Sequence, residues 1–290
     1  MRLPDYHSHT ARCGHASGLP AEYVRTAREL GLAAIGIADH LPLLPQYDPE
    51  LTMKMSDLPI YVAEVLALKA ESPGYVLLGV EADYRPQTVA AVRDLLAAHP
   101  FDYVIGSVHF LGDWALDDPR SISGYADRDI DEVWLEYLQL VGDAAESGLF
   151  TIMGHLDLVK KFGYRPTRAL DLELNGLVHR IARSGVLVEI NTAGLHRPVK
   201  EAYPTLDILR RLGTAGVGIT FGSDAHRPEE VGRDFDHAVG LARSGGHERF
   251  ALLRTAPDGG RAAVTYERFD EAPSAAAGSG GDHAGAQREA

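Results

Sequence analysis

Cysteine is almost missing: Cys13 is the only one in 290 residues, so an intramolecular disulfide is impossible and a thiolate zinc cluster is excluded. Positive charge is scarce too. The 28 Lys and Arg stand against 41 Asp and Glu, a formal net charge of −13, and no run of basic residues interrupts the excess. Such a surface repels nucleic-acid phosphates. No apolar run reaches the ~18 residues of a membrane span, and the opening "MRLPDYHSHT" has no apolar signal-peptide core. The expectation is a soluble cytoplasmic protein, monomeric or homodimeric, with neither a membrane nor nucleic acid as partner. There is also no G-x-G-x-x-G, no P-loop and no internal repeat.

What is present is an alternation. Seven runs rich in Val, Ile and small residues read as strands: 3–7, 33–40, 75–84, 103–110, 151–158, 186–193 and 217–226. Amphipathic helical patterns lie between most of them. In "PAEYVRTARELG" (20–31), Tyr23, Val24, Ala27 and Leu30 share one face. Further helices are expected over 56–71, 129–147, 169–183 and 205–215. Gly31, Gly148, Gly185 and Gly216 stand where left-handed C-terminal caps belong. The pattern predicts an α/β protein with a parallel sheet and crossover helices. A closed barrel is favoured over an open sheet, because each run ends in or near a His, Asp or Glu, and the strand C-termini of a barrel meet at one mouth. Residues 1–270 read as one domain. The Ala/Gly/Ser-rich tail, 271–290, lacks apolar periodicity and is expected to be disordered.

The strand ends carry the chemistry. His7 and His9, in "DYHSHT", project to the same side of a strand because side chains alternate with period two. With them stand His15, on the loop after the first strand, then His40, Glu81, His109, His155, Asp224 and His226. Imidazole nitrogen with carboxylate oxygen is a ligand set for zinc, iron or manganese, and the lack of thiolates fits a catalytic site rather than a structural one. Nine such groups exceed the needs of one ion. One histidine at a strand end is more often a hydrogen-bonded residue than a ligand; the joint pattern is what carries the reading. His99, His179, His237, His247 and His283 are assigned to solvent, and His196 is left open near the site. Glu189 and Asn191 close the sixth run. Cys13 is read as a small packing residue in a tight loop.

The motifs "HSH" (7–9), "CGHA" (13–16), "ADH" (38–40), "GVEADY" (79–84), "GSVHF" (106–110), "GHLDL" (154–158), "EINTAG" (189–194) and "GSDAH" (222–226) together resemble those of the polymerase-and-histidinol-phosphatase (PHP) superfamily. Within it, "YVIGSVHFLGDW", "GHLDLVKKFG" and "NTAGLHRPVKEAYP" resemble the histidinol-phosphatase branch. The resemblance spans about residues 1–255 and fills all nine ligand positions. It implies a distorted seven-stranded, TIM-like (β/α)7 barrel with three divalent ions of zinc, iron or manganese. His7, His9, Glu81 and Asp224 would hold one; Glu81, shared, with His109 and His155 a second; His15, His40 and His226 the third.

The implied activity is hydrolysis of histidinol phosphate in histidine biosynthesis, by in-line attack of a hydroxide shared between metals. Glu81, Asp224 and His226 are the candidate catalytic groups, with Asp224 or a neighbouring histidine protonating the leaving alkoxide. His40, Arg197 and Lys161 are candidates for the substrate phosphate, with Arg165 ranked lower. Asp39, Asp157 and Asn191 are candidate partners for ligand imidazoles, or Asp39 and Asp157 helix caps, and Glu189 a candidate for the substrate amine. Alternatives are another small phosphate ester, a nucleotide or oligonucleotide, and a metal-binding module without activity.

Overall fold

A computed structural model describes residues 1–256 and 260–269; the expected tail lies outside the described residues. In chain order the strands are β1 (Pro4–Asp5), β2 (Ala34–Ile37), β3 (Val76–Leu78), β4 (Glu81–Asp83), β5 (Ile105–Ser107), β6 (Phe110–Leu111), β7 (Trp114–Ala115), β8 (Ile152–Met153), β9 (Leu187–Asn191), β10 (Ile219–Gly222), β11 (Arg249–Arg254) and β12 (Ala263–Arg268). The helices are α1 (Pro20–Glu29), α2 (Leu58–Glu71), α3 (Val89–Ala97), α4 (Ile130–Glu146), α5 (Asp171–Ser184), α6 (Leu206–Thr214) and α7 (Phe235–Ser244). The protein is α/β with parallel sheets. One sheet runs β1-β2-β3 and another β10-β9-β8-β5-β4, all pairs parallel.

Each of the seven expected runs contains a strand, and one of them contains two. Residues 75–84 break between Leu78 and Glu81, so β3 belongs to the first sheet and β4 to the second. Strands β2 and β9 are buried at every position, as a sheet covered on both faces requires. The four cap glycines adopt positive φ, from 69° at Gly31 to 76° at Gly185. Beyond the expected elements stand α3, α7, the short β7 that pairs with β6, and the antiparallel hairpin of β11 with β12. Helix α3 is a short, Ala-rich segment, and the hairpin's β12 is exposed throughout, so neither carries a strong periodic signal.

Beneath the strands' N-terminal halves Tyr6, Tyr103, Ile105, Ile152, Leu187, Ala251 and Leu253 form a closed apolar cluster. Tyr103 Oη donates to the Tyr6 carbonyl at 2.6 Å, and Tyr6 Oη accepts from Leu253 N–H at 2.8 Å, which ties the hairpin to the sheets. The Tyr103 side chain occupies space that Gly36 and Gly79 leave open: a Cβ at Gly36 would fall 1.9 Å from its Oη, and one at Gly79 2.2 Å from its Cζ. Gly36→Ala is therefore expected to destabilise by about 1–3 kcal/mol, the usual cost of overpacking a tight interior. A denaturant midpoint equal to that of the parent chain would contradict this account. The same packing leaves the opposite ends of the strands free to carry polar groups.

Candidate metal centre

At those C-terminal ends one carboxylate collects five imidazoles. Glu81 opens β4 and is buried; its Oε2 lies 2.9 Å from His40 Nδ1, 3.3 Å from His7 Nε2 and 3.4 Å from His9 Nε2. Its Oε1 lies 3.1 Å from His155 Nε2 and 3.6 Å from His109 Nε2, and accepts from Ser107 Oγ at 2.5 Å. Asp224 forms the other pole. Its Oδ1 is 3.3 Å from His9 Nε2, 3.5 Å from His226 Nδ1 and 3.8 Å from His7 Nε2. Asp224 has φ of 51°, a conformation that costs a non-glycine residue energy and that is found where a side chain must be aimed.

The local sequence explains how His7 and His9 arrive together. Between them Ser8 points the other way, donating to the Gly36 carbonyl at 2.9 Å and bridging to Ala225, so both rings fall on the inner side. Their centroids are 5.0 Å apart. His9 stacks on His40 at 4.3 Å and meets His226 at 4.6 Å; His15, at the mouth, is 5.3 Å from His40 and 4.8 Å from His226. All nine candidates thus lie in one contiguous cluster. Four sets of three among eight of them place ligand atoms within 4.8 Å of one another; His15 joins by ring contact.

The donor set fits cations. His7 Nε2, both ring nitrogens of His9, Glu81 Oε2 and His155 Nδ1 are buried and make no hydrogen bond, a costly condition unless something binds there. Burial by itself would keep Glu81 protonated, but His40, His7 and His109 hold its pKa well below the usual carboxylate range. Asp224 is likewise lowered despite burial, by His7, His9 and His226. His9 is pushed far down by burial, reinforced by His40 and His226, and so offers neutral nitrogens. For His109, burial is outweighed by Asp83, Asp117 and Glu81, and its pKa rises to about 10.

Supporting groups hold the rings. Asp83 accepts from His109 Nδ1 at 2.9 Å, and Glu189 from His7 Nδ1 at 2.8 Å. These two, with Ser107 and Asp117, were not read as parts of the site in these roles. Asp83 was within reach of sequence reasoning, since it stands two residues beyond Glu81 on the same strand face; the others depend on pairing between strands. Glu189 is 1 % exposed and underlies the cluster, so it cannot meet a substrate amine as expected. Neither Asp39 nor Asp157 accepts from an imidazole or caps the helix after it. Asp39 holds Thr10 through N–H and Oγ1 at 2.5 and 2.6 Å, and Asp157 accepts from Thr205 N–H and pairs with the fully buried Lys160. Asn191 donates to Glu189 at 2.8 Å and to Asp224 at 3.4 Å.

A cavity of about 880 Å3 opens above the cluster. The guanidinium of Arg197, exposed on its wall, makes no hydrogen bond or ion pair among the described residues, whereas Lys161 is engaged by Asp117 at 2.9 Å. Arg165 pairs with Glu201 at 2.7 Å. His196 lines the rim and pairs with Asp234 at 2.6 Å. Cys13 is buried, its thiol pushed up to about 12 by that burial. His247, assigned to solvent from its Gly-flanked position, is instead buried, and its Nε2 donates to the Leu209 carbonyl at 3.1 Å.

Fold and site define a class: α/β proteins whose parallel strands deliver imidazoles and carboxylates to one cavity. Within that class the PHP domain family matches residues 5–193, and the chain belongs to it. It is 43% identical over 242 residues to a probable histidinol-phosphatase of Deinococcus radiodurans, covering 82% of this chain and 91% of that protein. To the histidinol-phosphatase of Lactococcus lactis it is 25% identical over 261 residues, covering 87% and 95% respectively. The solved histidinol phosphate phosphatase of Lactococcus lactis, complexed with zinc, L-histidinol and phosphate, is similar with a TM-score of 0.74 at 25% identity, over 90% of this chain and 99% of that one.

Proposed function

We propose that this protein is a metal-dependent phosphatase that hydrolyses L-histidinol phosphate to L-histidinol and phosphate in histidine biosynthesis. The observation that carries the reading is Glu81 with five imidazole nitrogens within 3.6 Å of its two oxygens. The similarity to histidinol-phosphatases, one of them solved with zinc, histidinol and phosphate, supports the choice of substrate. Three divalent ions of zinc, iron or manganese would be held as one set by His7, His9, Glu81 and Asp224, another by Glu81, His109 and His155, and a third by His15, His40 and His226. Once bound, these ions supply positive charge for phosphoryl oxygens and a water acidified toward neutrality.

The chain's own residues do the remaining work. Arg197 presents a guanidinium fork to two phosphate oxygens, and His40 and Lys161 line the same wall. Asp224, which is ionised, and His226, their atoms 3.5 Å apart, are the groups that would relay a proton from water to the leaving alkoxide. We also read the two sheets as one distorted seven-stranded barrel within a domain of residues 1–270. Supporting that reading, Tyr6 N–H donates to the Phe221 carbonyl at 3.1 Å, linking the β1 and β10 edges, while the 76–83 run enters both sheets. A cytoplasmic monomer or homodimer that binds neither nucleic acid nor membrane completes the proposal. Among the described residues no helix is long and apolar enough to cross a membrane.

The test is phosphate release from histidinol phosphate beside a mononucleotide and a dinucleotide. Turnover of histidinol phosphate at least about tenfold above both, in kcat/KM, is expected; equal or better cleavage of the dinucleotide would replace this reading with a phosphodiesterase. Arg197→Ala is expected to raise KM about 10–100-fold, the loss of a charge-assisted contact worth about 1.5–3 kcal/mol. An unchanged KM would remove Arg197 from the phosphate site.

A further inference from the structure

The carboxylate of Glu189 sits where three candidate ligands can be held by one group. It accepts from His7 Nδ1 at 2.8 and 3.0 Å, from the His155 main-chain N–H at 2.9 Å and from Asn191 Nδ2 at 2.8 Å. Asn191 Nδ2 also reaches Asp224 Oδ2, at 3.4 Å. Gly222 on the neighbouring strand makes room for it: a Cβ there would lie 2.4 Å from Oε2. Because Glu189 occupies His7 Nδ1, the nitrogen of His7 left without a hydrogen bond is Nε2, the atom nearest Glu81 and Asp224.

We propose that Glu189 is the positioning residue of the centre, fixing His7 directly, His155 through its backbone and Asp224 through Asn191, so that their donor atoms face a common space. This rests on the reading of His7, His155 and Asp224 as metal ligands. The physical basis is threefold. A carboxylate on the far nitrogen of an imidazole sets the tautomer and raises the basicity of the near one. A single rigid acceptor shared by groups from three strands also removes their independent motion, so the ligands are preorganised before a cation arrives. Finally, Glu189 adds a third buried negative charge beneath Glu81 and Asp224, which favours cations over an empty cluster.

The experiment uses the purified metal-loaded protein, Glu189→Gln and Glu189→Asp. Gln keeps the shape and an oxygen for the His155 and Asn191 donors but brings amide hydrogens against His7 Nδ1; Asp keeps the charge but not the reach. Each is titrated with a chelator while metal content is measured by elemental analysis, and kcat and KM are measured with metal in excess. Both variants are expected to release metal at a chelator concentration about 10–100-fold lower than the parent. With metal in excess, kcat should fall while KM for histidinol phosphate stays within about twofold. If Gln fails to fold, Asp alone decides. A parent-like chelator midpoint in a folded variant overturns the proposal while leaving the ligand reading intact. A parent protein that binds no metal overturns the ligand reading instead, and this assignment with it.

Discussion

Glu81→Gln is expected to strip the centre of its metals and lower kcat about a thousandfold, about 4 kcal/mol of barrier. Each carboxylate oxygen faces more than one imidazole, and Glu81 Oε2 alone has His40, His7 and His9 within 3.4 Å. An amide keeps one oxygen acceptor but turns the other position into a donor pointing at nitrogens that need a cation or a proton between them. Charge falls as well: the buried cluster loses the one carboxylate that faces five imidazoles. Elemental analysis of the purified variant beside the parent checks the metal content, and phosphate release checks the rate. A variant that kept its full metal complement and at least a tenth of the parent rate would show that Glu81 is not the shared ligand. The fold itself should survive, because Glu81 pairs through backbone N–H and C=O with Asp39 and Leu41 whatever its side chain.

Removing metal from the unaltered protein is the second large effect. Prolonged chelation should lower histidinol phosphate turnover at least about a thousandfold, and added zinc, manganese or ferrous iron should restore it, since the attacking water depends on bound cations for its acidity. The only thiol, Cys13, is buried and held protonated by that burial. Turnover that persists in protein shown to be free of metal would refute the mechanism. Chelation should also loosen the structure locally: without cations the buried nitrogens of His7 and His9 and the Glu81 oxygen stay without hydrogen bonds. Thermal unfolding should shift downward and recover on metal addition, as binding to the folded state alone requires.

Much of this centre is legible in the linear chain, and for one reason. A strand alternates its side chains with period two, so "HSH" announces paired donors, while "SDAH" has the same spacing but pairs its donors through the turn at Asp224, where φ is 51°. The clustering of His, Asp and Glu at the ends of apolar runs then points to a common mouth. Misreadings occurred where burial could not be inferred locally. His247 lies between glycine and glutamate and yet is enclosed by α6 through Leu209; Glu189, at the end of an apolar strand like the ligands, turns beneath them rather than toward a substrate. Asp39 and Asp157 follow the same strand-end rule but bind backbone and hydroxyl groups instead of imidazoles.

Side-chain chemistry and backbone alternation, both local, settle which donors exist, that they are imidazole and carboxylate rather than thiolate, and that His7 and His9 share a face. Only the tertiary structure decided which donors share a partner. The bond between His7 and Glu189 joins positions 182 residues apart, and the contacts of Glu81 with His7 and His155 span 74 residues each way. Such pairings depend on strand order, register and the space left by glycines such as Gly222, and these are set when the sheets assemble, not by any short stretch of the chain.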